Sequence, residues 1–132
     1  MTIEERKARS VTHVVKAVFP NTTNHYDTLF GGQAMEWMDE VAFITANRFC
    51  RQDVVTVSMD RTDFKKPIPA GTIVELVGTV ESIGNTSMRV KVEVFLEDMH
   101  SDSRISAIHG AFTMVAIDKS RNPIPVCRDT ET

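Results

Sequence analysis

One helix in this chain is apolar on almost every side, and no other long helix is legible to bury it. From Gly32 to about Phe49 there is neither a proline nor a polar cluster. At roughly 100° per residue, Met35, Met38, Ala42, Ala46 and Phe49 fall on one stripe. Trp37, Val41 and Ile44 cover much of the opposite side, and Gln33, Glu36, Glu40 and Asn47 leave a narrow polar strip. A helix with so little polar surface has to be wrapped by a sheet or pressed against another subunit. Asp39 shares the edge of the apolar stripe. It is either a rim residue that reaches solvent or a working group set in apolar surroundings.

After the helix the hydrophobic period changes. Val54-Val55-Thr56-Val57-Ser58-Met59 is β-branched and strand-like, and Pro67-Ile68-Pro69-Ala70-Gly71 is a turn. Thr72 to Ile83 reads as a strand and Gly84-Asn85 as a hairpin signal. Met88 to Val94 alternates, with Val90, Val92 and Val94 inward and Arg89, Lys91 and Glu93 outward. Ile105 to Ile117 is the last strand, and Val11 to Phe19, ahead of the helix, is the first. The pattern predicts an α+β fold, one long helix against an antiparallel meander. A curved sheet covers such a helix on one face only, so a symmetric dimer that continues the sheet is the economical way to cover the rest.

The 132 residues suit a single domain. The net charge is -3, with both signs interspersed and no basic tract, which argues against nucleic acid or an anionic membrane as a main partner. Met1 to Lys7 holds no apolar run and reads as a solvated tail or a short helix, not a secretory leader. No stretch is apolar enough to span a bilayer. Cys50 and Cys127 are widely separated and read as reduced structural thiols of a cytoplasmic protein. No His, Cys or Asp cluster has metal-ligand spacing, and a G-x-S-x-G elbow is absent. Gly31-Gly32 lacks the further glycines and lysine of a phosphate-binding loop.

In order and spacing, Pro20-x-x-Thr23-Asn24, Phe30-Gly31-Gly32, Met38-Asp39-Glu40-Val41-Ala42, Phe64-Lys65-Lys66-Pro67-Ile68, Gly84-x-x-Ser87-Met88 and Phe112 to Asp118 resemble the hotdog-fold acyl-CoA thioesterases of the bacterial and brain-type cytosolic group. The resemblance covers about residues 10–126. It implies one hotdog domain there, a long central helix wrapped by a curved antiparallel sheet, between tails at 1–9 and 127–132. It implies hydrolysis of acyl-CoA with coenzyme A as part of the substrate and no further cofactor, in a dimer and beyond it a trimer of dimers. It implies a catalytic pair, Asp39 and Asn24, supplied by different protomers.

The residue chemistry is compatible. Asp39 can activate water as a general base or attack the thioester directly, and Asn24 can orient water or hold the carbonyl. Gly31 and Gly32 open the helix, where unpaired N–H groups and the dipole favour a developing oxyanion. Lys66, Thr86, Ser87 and Arg89 are candidates for holding coenzyme A, although Arg89 also fits the solvent face of a strand. Two other readings share the fold. One is a hydroxyacyl-thioester dehydratase pairing His25 with Asp39, and the other a non-catalytic acyl-CoA-binding module.

Overall fold

The computed structural model describes residues 1–127. Helix α1 (Ile3–Ser10) is followed by β1 (Thr12–Ala17), a 3-10 turn at Pro20–Thr22, the long α2 (Gly31–Cys50), and strands β2 (Asp53–Phe64), β3 (Ile73–Ile83), β4 (Ser87–Glu97) and β5 (Arg104–Ile117). The five strands form one antiparallel sheet in the order β1-β3-β4-β5-β2. The hotdog arrangement that the resemblance implies is therefore present. Of the tail expected at 127–132, residues 128–132 lie outside the described residues.

Two features differ from the sequence reading. The strands are a meander only from β3 to β5. Helix α2 carries the chain from β1, beside β3, to β2, beside β5, so its two neighbours in sequence become the two edges of the sheet. The N-terminus takes the short-helix alternative. Thr2 and Glu5 close a reciprocal capping box on α1. Arg9 and Arg48 then exchange guanidinium-to-carbonyl hydrogen bonds that dock α1 on α2.

The core lies between α2 and the inner face of the sheet. Met38, Val41, Ala42, Ala46 and Phe49 are fully buried against Val74 and Leu76 of β3, Val90 and Val92 of β4, and Phe112 and Met114 of β5. Burying each large apolar side chain contributes about 1.5–3 kcal/mol, so this face holds the helix in place. One glycine sets how close it comes. A Cβ on Gly78 would lie 2.2 Å from Thr45 Oγ1 and 2.9 Å from Val41 Cγ1. At the far end Arg51 adopts a left-handed conformation (φ 53°) and its N–H closes on the Asn47 carbonyl, ending the helix.

The outer side of α2 is not fully polar. Glu36 and Glu40 face solvent, but Phe43 between their rows is 47% exposed. Beside it, among the described residues β2 pairs only with β5 and leaves its other edge open, with Val57 and Met59 also exposed. No helix among the described residues is long and apolar enough to cross a membrane.

Candidate active site

Asp39 sits about two turns into α2, where the apolar stripe meets the polar strip. It is half-buried. Its Oδ1 accepts a 2.7 Å hydrogen bond from Thr56 Oγ1 on β2. Thr56 reaches it from the inner face of β2: it lies two residues beyond the buried Val54 and opposite Met114, in regular register with β5 before the shift that follows it. The bond occupies one carboxylate oxygen. The other has no hydrogen bond among the described residues, and the carboxylate opens onto a groove of about 560 Å3 bordered by Lys16, Trp37, Phe43 and Thr56. The Lys16 ammonium lies 5.1 Å from the centre of the Trp37 ring. Thr56 was not among the residues singled out from sequence. The only signal was a hydroxyl inside a β-branched run.

Asn24 anchors the loop before α2. Its Oδ1 accepts from Tyr26 N–H (2.9 Å), Thr28 N–H (3.2 Å) and Thr28 Oγ1 (3.1 Å). Two backbone donors fix the orientation of the amide, since the reversed amide would set N–H against N–H. The Nδ2 donors then have no partner among the described residues. Gly31 and Gly32 begin α2 without a side-chain cap and without an acidic residue in the first turn. Neither needs glycine for space inside the chain. A Cβ on Gly32 would meet nothing within 4 Å, and one on Gly31 only the Phe64 ring at 3.9 Å. Both glycines are exposed, and the first N–H groups of a helix have no partner within it.

One protomer does not bring these parts together. Gly31 precedes Asp39 by eight residues on one helix, about 12 Å along the axis. The groove at Asp39 and the cavity behind the Asn24 loop share no lining residue. The candidates for coenzyme A are also spread out. Lys66 N–H bonds the Ala107 carbonyl at one end of β5, whereas Ser87 pairs with Val115 near the other, about 27 Å away along the strand. Thr86 is fixed there through its carbonyl, which accepts from Ala116 N–H. Arg89 is held by Glu81 (3.0 Å) and Asp60 (2.6 Å) on the outer face of the sheet. Hydrogen bonds from Ser58 and Thr113, with Arg89 nearby, keep the Asp60 carboxyl below the usual range. Lys66 makes no side-chain bond among the described residues and borders the cavity behind Asn24.

His25 stacks on Tyr26, with ring centroids 4.0 Å apart, and is exposed. It does not border the Asp39 groove. Among the described residues no group of three His, Cys, Asp or Glu side chains could hold a metal ion.

Comparison with known proteins gives the chain's relatives. The model of the thioesterase superfamily matches residues 26–102. The uncharacterised acyl-CoA thioester hydrolase YkhA of Bacillus subtilis is 41% identical over 130 residues, which are 97% of this chain and 76% of that protein. An acyl-CoA hydrolase of Staphylococcus aureus, solved with butyryl coenzyme A, coenzyme A and coenzyme A disulfide, superposes with a TM-score of 0.88. It is 37% identical over 92% of this chain and 74% of that one. Alanine variants of the same enzyme at one aspartate, one threonine and one asparagine give 0.88, 0.88 and 0.89. A hexameric acyl-CoA thioesterase gives 0.89 at 38% identity, covering 95% of this chain and 82% of that one.

Proposed function

The chain belongs to the thioesterase superfamily, and from that premise we propose that it hydrolyses acyl-CoA to a free acid and coenzyme A, at sites completed between two protomers. The observation that carries the reading is the Asp39–Thr56 pair. One carboxylate oxygen is pinned by the threonine hydroxyl and the other is open to the groove. A pinned carboxylate keeps one rotamer, so its free lone pairs stay aimed at an incoming water or thioester.

Two routes fit this arrangement. As a general base, Asp39 takes a proton from water while the water oxygen bonds to the thioester carbon. As a nucleophile, it bonds to that carbon itself and gives an acyl anhydride that water then cleaves. In both, the carbonyl oxygen gains negative charge, the carbon–sulfur bond breaks and the thiolate leaves with a proton from solvent or the site. The oxyanion needs N–H donors that Asp39's own helix end, two turns away, does not supply. The partner subunit's Asn24, with free Nδ2 donors, and the open N–H groups of its α2 end are suited to this role. Coenzyme A enters as part of the substrate, and the chemistry requires no other cofactor.

Two further observations support a site shared between protomers. The open β2 edge and the exposed Phe43, Val57 and Met59 lie beside Thr56 and Asp39, so pairing two β2 edges would continue the sheet and border the groove with a second chain. A structural neighbour is hexameric, which fits a trimer of such dimers. The test is release of free thiol from acyl-CoAs of increasing length, with an enoyl-thioester hydration assay in parallel. We expect thiol release that depends on Asp39. Hydration without thiol release would replace the hydrolase by a dehydratase, and binding without turnover of either kind would leave a binding module.

A further inference from the structure

The fold brings together two cysteines that the sequence holds far apart. Cys50 is the last residue of α2 and is buried in the core. Its Sγ lies 4.0 Å from the Gln52 carbonyl oxygen. The Gln52 side-chain amide donates a 2.9 Å hydrogen bond to the Pro125 carbonyl, which draws residues 123–127 onto the end of α2. On either side of Pro125, Ile124 N–H donates to the Ala116 carbonyl and Val126 N–H to the Asn85 carbonyl. Val126 is fully buried, and the half-buried Cys127 packs against the cluster that contains Cys50. Both thiols are free. Burial pushes the Cys50 thiol up, with neighbouring Cys127 adding to the rise. Neither cysteine borders the Asp39 groove or the cavity behind the Asn24 loop, so the hydrolysis described above uses neither.

We infer that Cys50 and Cys127 are a dithiol that hydrogen peroxide oxidises to an intrachain disulfide, locking residues 123–127 onto the end of α2. Cys127 is the thiol that the oxidant reaches first, because Cys50 is covered. The Cys127 sulfur attacks one peroxide oxygen. An S–O bond forms, the O–O bond breaks, and the released hydroxide takes the thiol proton and leaves as water, giving a sulfenic acid. The Cys50 sulfur then attacks the Cys127 sulfur. The S–S bond forms, the S–O bond breaks, and the departing hydroxide leaves with the Cys50 proton as a second water. The two thiols lose two electrons, and the peroxide gains them. The bridge closes a loop that contains β2, β3, β4 and β5, so it constrains the unfolded chain strongly. It also ties α2 to the segment whose Val126 N–H holds Asn85, in the turn ahead of β4.

The test treats the intact, folded protein with hydrogen peroxide and then counts thiols in denaturant. The count should fall from two per chain to none and return with dithiothreitol. Peptide mapping should join the Cys50 and Cys127 peptides, and a non-reducing denaturing gel should show single chains. The oxidised protein should melt about 10 °C above the reduced one. Cys50→Ala should leave Cys127 as a sulfenic acid that dimedone traps, and Cys127→Ala should leave Cys50 reduced. Neither variant should gain in melting temperature on oxidation. If Cys50→Ala does not fold, the wild-type map and Cys127→Ala decide. Two thiols that persist, a Cys127 driven to sulfinic acid beside a reduced Cys50, or a bridge between chains overturns the inference. An intrachain bridge that leaves the melting temperature where it was overturns the lock. None of these readouts involves acyl-CoA, so the dithiol stands or falls independently of the hydrolase.

Discussion

A carboxylate and a hydroxyl 2.7 Å apart make different demands on mutagenesis. Asp39→Asn keeps the size of the side chain but can neither accept a proton at neutral pH nor attack a carbonyl. Turnover should fall on the order of a hundredfold or more, while binding of a non-hydrolysable alkyl thioether of coenzyme A is kept. Near-wild-type turnover in a clean preparation would remove Asp39 from the mechanism. Thr56 acts through Asp39, so its loss should appear in kcat rather than in KM. A hydrogen bond to a charged group is worth about 1.5–3 kcal/mol, so Thr56→Val should cost roughly tenfold to a hundredfold in kcat, and Thr56→Ser should restore most of it. Loss that serine does not rescue would mean the threonine serves only to shape β2. A third residue-scale prediction concerns the outer face of the sheet. Hydrogen bonds from Arg104 and then His13 hold the Glu75 carboxyl below its ordinary value. A lowered folded pKa gives stability that is present above the unfolded carboxylate pKa and is lost as pH falls through the folded one. Glu75→Gln should therefore melt below wild type at pH 7, and the gap should close as the pH drops below the carboxylate range. A gap that persists in acid would assign the effect to packing instead.

At the scale of elements, the helix–sheet contact has one narrow point. Gly78→Ala would place its Cβ against Thr45 Oγ1 and Val41 Cγ1, and overpacking of this kind costs about 1–3 kcal/mol. Thr45→Ala should recover part of that loss in thermal melts and Val41→Ala a further part. An additive, unrescued double variant would show that the glycine matters for another reason. The same contact shows what the sequence makes legible. The burial of Met38, Ala42, Ala46 and Phe49 follows from a period of 3.6 residues, and that of Val90, Val92 and Val94 from a period of two. Both are local properties, written in consecutive residues. β2 was less legible. The sequence suggests Val54–Met59, yet the strand runs to Phe64 through Asp60-Arg61-Thr62-Asp63, because pairing with β5 rather than apolar alternation holds it. The role of Thr56 is illegible for the same reason. Its reach to Asp39 depends on how α2 packs over the β2–β5 pair, a long-range arrangement that leaves no mark in its neighbours. The wide separation of Lys66 from Thr86 and Ser87 along β5 was likewise set by pairing, and invisible to motif spacing.

At the scale of the whole molecule, the open matter is which protomer each part serves. Phe43, Val57 and the free β2 edge leave apolar surface and unpaired backbone groups that the described residues of one chain do not cover. Light scattering on dilute protein should therefore find no folded monomer, and a stable, fully active one would refute both the shared sheet and the shared site. The sharper test uses complementation. Asn24→Ala and Asp39→Asn should each be nearly inactive alone. Unfolded, mixed in equal amounts and refolded, they form mixed dimers in which one site carries both defects and the other carries neither. With random pairing about half of the dimers are mixed, and each has one working site of two, so the mixture should recover roughly a quarter of wild-type activity. Assembly of dimers into trimers does not change this fraction, because each site belongs to one pair. The outcome turns on Asn24, whose Oδ1 is already committed to Tyr26 and Thr28 in its own loop. If its only task were to hold that loop, the loop would still act on the partner subunit's site, and Asn24→Ala alone would weaken activity in proportion to the disorder it causes, with Asn24→Asp rescuing because its carboxylate accepts from the same backbone N–H donors. If its free Nδ2 donors hold the thioester carbonyl, Asn24→Asp keeps the loop but supplies no donor, and activity stays lost. Recovery in the mixture with no rescue by aspartate assigns Asn24 to the partner's chemistry. No recovery, with subunit exchange demonstrated by differential tagging, places Asn24 and Asp39 in the service of the same protomer and removes the crossed pair.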